Sequence, residues 1–149
     1  MSELKQRLSD EMKAAMRAKD KGRLGTIRMM LAELKRIEVD ERIELDDARV
    51  IATLDKMQKQ RRDSIAQFES AGRDDLADIE QQELLVIKEF LPQALSADEL
   101  TTIVDAAISS SAAQGMQDMG KVMAIVKPQV QGRADMGAIS QLVKNRLTR

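Results

Sequence analysis

Cysteine, histidine, tryptophan and tyrosine do not occur in this sequence, and two Phe are its only aromatics. Without Cys there is no disulfide framework, and with His also missing there is no thiolate or imidazole ligand for zinc, copper or iron. The same absences remove Ser-His-Asp and Cys-His nucleophile pairs and the one side chain that titrates near neutrality unaided. The sequence therefore offers no catalytic residue, no metal site and no cofactor. No apolar run approaches the roughly 18 residues that a membrane span requires. Charges begin at Glu3, Lys5 and Arg7, so a secretory signal is not expected either. The expectation is a soluble, cytoplasmic protein with no membrane partner.

What is present favours helix. Hydrophobic residues make up 43% and charged residues 33% of 149 positions, a globular balance at the upper end of one domain or enough for two small ones. Two Pro and seven Gly leave a chain rich in Ala, Leu, Lys, Glu, Gln and Met. The expected class is all-α, with a core filled by Leu, Ile, Val and ten Met, which pack adaptably.

Ser2 can cap a first helix carrying Leu4, Leu8, Met12, Ala15 and Met16 at spacings of three and four, as far as Lys19. Asp20, Lys21 and Gly22 interrupt, and Leu24, Ile27, Met30, Leu31, Leu34 and Ile37 mark a second helix. Asp46 or Asp47 caps a third, with Val50, Ile51, Leu54, Met57, Ile65 and Phe68 inward until Gly72. Arg61 falls on that apolar row, which makes it and Arg62 interface candidates; the alternative is a packed stem whose head meets solvent or an acid. Asp74 and Asp75 open a fourth helix, for which Leu76, Ile79, Glu83, Val86, Ile87 and Phe90 are read as one face. Pro92 closes it and sets the expected boundary between parts 1–92 and 93–149.

Ser96 and Glu99 form a capping-box sequence ahead of Leu100, Ile103, Val104, Ala107 and Ile108. Asp118 is read as the cap of a sixth helix, which Pro128 should kink or end, and Asp135 as the cap of a seventh. The expected core of this part is Leu100, Ile103, Val104, Val122, Met123, Ile139, Leu142 and Val143.

Charge is unevenly distributed. Residues 115–149 carry six cations against two carboxylates, a charge of +4 in a chain that totals −1, while residues 70–105 form a belt of −7. Lys121, Lys127, Arg133 and Lys144 are therefore the candidates for RNA or anion contact. Arg133 stands out because no structural role is evident for it, and a guanidinium can clamp a phosphate in bidentate fashion. Gly120 is read first as room for a neighbouring helix and second as an opening onto free amides beside Lys121. Lys144, Arg146 and Arg149 also fit a helix end, where cations suit the dipole.

Lys59-Gln60-Arg61-Arg62-Asp63, Gly72-Arg73-Asp74-Asp75-Leu76, Phe90-Leu91-Pro92, Met119-Gly120-Lys121-Val122-Met123 and Gly132-Arg133-Ala134-Asp135 resemble the YqeY-like proteins. The carboxy-terminal part of that family is similar to the tail domain of the GatB subunit of tRNA-dependent amidotransferases. The resemblance covers nearly the whole chain. It implies a four-helix amino-terminal bundle, a three-helix tail and a role in placing tRNA. Two positions depart from the family pattern: Phe90 stands where Tyr is usual before Leu-Pro, and Met136 precedes Gly137 where Gly directly follows the Asp.

Three readings follow. The first is a noncatalytic module that binds tRNA or another structured RNA through backbone and shape, since the chain has cations but lacks stacking aromatics. The second is an accessory to an amidotransferase or another translation-related protein, in carbon-nitrogen ligation with glutamine as nitrogen donor. The chain itself cannot release that nitrogen without a Cys nucleophile. The third is a protein-interaction or self-association module, its oligomeric state left open.

Overall fold

The computed structural model describes residues 2–148, and Arg149 lies outside the described residues. Seven α-helices and one 3-10 turn account for the secondary structure, with no strand among the described residues. They divide into two compact units, Met1–Pro92 and Gln93–Arg149.

The first unit holds α1 (Glu3–Arg17), α2 (Lys21–Glu41), α3 (Asp47–Ser70) and α4 (Asp74–Glu89). Ser2, Asp20 and Asp46 cap the first three by accepting the amides of Lys5, Arg23 and Arg49, each removing one of the unpaired donors at a helix start. Lys21 and Gly22 thus belong to the first turn of α2 and are not part of a break. Leu8, Ile27, Met30, Leu34, Leu45, Val50, Leu54, Met57, Ile87 and Phe90 form the core. Helix α4 departs from the predicted face in part, for Ile87 and Phe90 are buried as expected. Its buried residues are Ala77, Leu84 and Ile87, and Ile79 is 57% exposed. Spacings of three and four fit both stripes on α4; packing against α2 and α3 selected the one that carries the small Ala77.

The second unit holds α5 (Ala97–Ser111), α6 (Met119–Val130) and α7 (Met136–Leu147), with a 3-10 turn at Met116–Asp118. The capping box at Ser96 and Glu99 is formed in both directions. Val104, Ala107, Val122, Val126, Val130, Ile139, Val143 and Leu147 make the core, and Leu100, Ile103, Met123 and Leu142 pack around it half-buried. On α6 the Asp118 cap fails, and of the two outcomes expected at Pro128 the ending does. Asp118 makes no side-chain cap bond to the helix, because the preceding 3-10 turn directs its carboxylate back to the Gln114 amide at 3.0 Å. Nor does Pro128 end the helix, which runs on to the fully buried Val130. Burying that side chain outweighs one missing backbone bond.

Candidate functional site

Lys121, Lys127, Arg133 and Lys144 all lie in the second unit. The structure spreads them along α6, the turn after it and α7. Lys121 sits in the first turn of α6, its side chain 70% exposed and 3.6 Å from Asp118. Such an exposed pair is worth a fraction of a kcal/mol and leaves the ammonium available. Lys127 is exposed near the end of α6, and Lys144 is exposed in the last turn of α7. Lys144 is nine residues past Asp135, about 13 Å along the helix axis, so it does not attend that helix start.

Arg133 is the clearest correction. Gly132 takes a positive φ of 76° and ends α6, a conformation that an L side chain rarely adopts. The turn it creates carries Arg133 to the segment entering α5. There the Arg133 Nε donates to the Gln93 carbonyl at 3.0 Å, and the Leu95 amide donates to the Arg133 carbonyl at 2.9 Å. The residue that looked structurally idle straps the start of the unit to its last turn. Sequence reasoning missed this because the partner is a main-chain carbonyl 40 residues away.

Gly120 is also clarified. A Cβ there would meet nothing within 4 Å, so no neighbouring helix requires a glycine. The packing explanation fails, and the first turn of α6 stands open on that side. Arg146 is spent on Asp105 at 3.3 Å. Asp118 titrates below its ordinary value because it accepts the Gln114 amide, with Lys121 adding attraction.

In the first unit Arg23, Arg36, Arg49, Arg61 and Arg73 have carboxylate partners. Arg61, its side chain 13% exposed, donates from Nε to Glu83 at 2.9 Å and from Nη2 toward the Met29 sulfur at 2.9 Å. Glu80 lies 3.4 Å from the same Nε, its buried Oε2 making no hydrogen bond. Arg62 remains exposed and reaches Gln58. Arg23 pairs with Glu89 and, at 3.3 Å, with Glu11. Arg7 donates to the Glu89 carbonyl at 3.1 Å while lying 4.9 Å from the Phe90 ring centroid. These groups tie helices together, and no two of them are placed as nucleophile and base.

The sequence matches the Yqey-like protein family over residues 5–147. The chain belongs to that family. Among curated relatives, this YqeY-like chain is 39% identical over 124 residues to "Altered inheritance of mitochondria protein 41, mitochondrial" of Eremothecium gossypii, covering 80% of this chain and 67% of that protein. The protein of the same name from Lachancea thermotolerans is 36% identical, covering 69% of this chain and 54% of its own length. In Pyrenophora tritici-repentis the identity is 30%, with 81% and 70% covered. The YqeY-like chain thus spans between about half and two thirds of most of these relatives.

Their names overturn the cytoplasmic expectation, because each is called mitochondrial. The physical reason is plain. Composition reports solubility in water, and water surrounds a matrix protein as it does a cytosolic one. No helix among the described residues is long and apolar enough to cross a membrane, and that observation does not separate the two compartments.

Proposed function

We propose that this YqeY-like chain is a noncatalytic accessory module whose second unit grips structured RNA, tRNA in the first instance, by its phosphate backbone. In this reading α1 to α4 form a supporting bundle and α5 to α7 a domain like the GatB tail. One observation carries the proposal: the charge left unspent on the second unit. Lys121, Lys127 and Lys144 are exposed, with one weak 3.6 Å pair, Lys121 to Asp118, among them, beside a first turn of α6 that Gly120 leaves open. Phosphates need cations and free amides, and backbone recognition needs no aromatic platform. The role does not depend on the compartment and would operate equally in a mitochondrion.

The test is tRNA binding by the intact protein across a salt series. Three phosphate contacts give a slope of log affinity against log salt of about −2 to −3. Replacing Lys121, Lys127 and Lys144 together with Ala should abolish that dependence, and each single change should lower the slope by a little under one. Arg133→Ala should loosen the strap to Gln93 and cost about 1 kcal/mol of stability while leaving most of the slope intact. Absence of tRNA binding by the parent at low salt refutes the proposal.

A further inference from the structure

Helix α4 keeps two large aliphatic side chains in water, Ile79 at 57% and Leu85 at 55% exposure. Each is three positions from Gln82, which lies between them on the outer face of the helix. Ile79 and Val86 border a cleft of about 310 Å³ whose α2 wall includes Gly22 and Thr26. Those small residues leave space for a bulky side chain that this chain does not itself supply.

Charge along α4 is polar in the same sense. Its beginning carries Asp74, Asp75 and Asp78 against Arg73, and only Asp75 is paired, with Arg73. Its end carries Lys88, with Arg7 against the Phe90 ring, while Arg23 there is already matched by Glu89 and Glu11. Parallel pairing of two such faces would set acid on acid. Antiparallel pairing sets the acidic start of one against the cationic end of the other.

We infer that α4 is a self-association face that takes a second copy of this chain, antiparallel, about a two-fold axis beside Gln82. On that axis Ile79 of each copy lies over Val86 of the other and enters the cleft beside Gly22 and Thr26. The contact is self-complementary, as a two-fold interface requires. It removes from water the apolar groups that the packing of α4 within its own unit leaves uncovered. The opposed charges fix the direction of pairing more than they add affinity.

Because the chain has no Cys, a single introduced thiol reports the axis directly. Under mild oxidation Gln82→Cys should form a disulfide-linked dimer, and Glu69→Cys, equally exposed at the end of α3, should stay largely monomeric. Adding Ile79→Lys and Leu85→Lys to Gln82→Cys should lower the cross-linked yield at least roughly tenfold, equivalent to about 1.4 kcal/mol. The parent's mass in sedimentation equilibrium should rise with concentration toward that of two chains and change little with added salt, as burial of apolar groups requires. Three results would overturn the inference: equal cross-linking at Gln82 and Glu69, a parent that stays monomeric at its highest soluble concentration, or a monomer in which Ile79 and Leu85 are shielded by the chain's own second unit.

Discussion

The two units are built from different materials. The first packs mainly larger side chains, Leu, Ile, Phe and the flexible Met30 and Met57, and ties its helices across the core with ion pairs: Lys5 to Glu38 at 2.5 Å, Arg23 to Glu11 and Glu89, Arg61 to Glu83. The second packs Val and Ala, with Ile139 and Leu147, at short range, and among the described residues its ion pair between helices is Arg146 with Asp105. Adaptable side chains specify a core loosely, so the first unit gains definition from charged links whose partners must match. β-branched residues have few rotamers to lose, and the second unit needs fewer such links. Its cations are therefore free for something else, which is why the functional proposal rests there.

The largest expected effect concerns the cores. Leu54→Ala, which empties a fully buried site in the first unit, should cost about 2–5 kcal/mol in urea unfolding. Val126→Ala, which removes fewer atoms from the second core, should cost less. An equal or larger loss at Val126 would mean that the second core is the more exactingly packed of the two. The ion pairs come next. Arg61→Met leaves Glu80 Oε2 buried beside no countercharge and should cost about 1–3 kcal/mol, below the full penalty of a buried pair because both carboxylates keep some solvent. Arg146→Met should cost about 1 kcal/mol or less, since Asp105 is half exposed. If the two substitutions cost the same, charge does not distinguish the units.

The smallest effect is in the acid limb. Glu38 titrates below its ordinary value of 4.5 because Lys5 and the Leu45 amide bind its carboxylate. Asp47 lies below 3.8 because Ser2 and the Leu4 amide do the same. A carboxylate lowered by folding stabilises above its unfolded value, and that stabilisation is lost as pH falls through the folded one. Glu38→Gln and Asp47→Asn should therefore weaken the first unit at neutral pH and converge with the parent only as pH falls through the lowered folded values of the two carboxylates, which for Asp47 lie under 3.8. A gap that persists into strong acid would show that shape at these positions, more than charge, carries the effect.

Local signals in the sequence were read well, and long-range ones were not. Seven helices were legible from spacing, and the capping box at Ser96 from four consecutive residues, because both are properties of the chain over one or two turns. Most of what failed depended on partners far along the chain, although the Asp118 cap was lost to the Gln114 amide only four residues away. Asp47 was visible as a helix-start acid, but nothing near it announces that it also holds Ser2 and the Leu4 amide at the start of α1. The Arg133 strap was hidden for the same reason. On α4 two apolar stripes were available, and only the packed fold shows which one it buries. Of the candidate site, the lysines were legible as charge. Their spread along α6 and α7, and the openness at Gly120, needed coordinates.

Pro128 has a consequence in time as well as in geometry. A proline has no amide to offer the Ala124 carbonyl, so the hydrogen-bonded ladder of α6 is interrupted one turn from its end. What holds that last turn is the burial of Val130. Local openings follow the weakest cooperative segment. The amides of Gln129 to Gln131 should thus exchange with solvent by a small opening of their own, well before those of Val122 and Met123. Lys127 rides on the segment that opens, so of the three lysines it samples the widest range of positions, and slowed exchange there on adding RNA would register its capture.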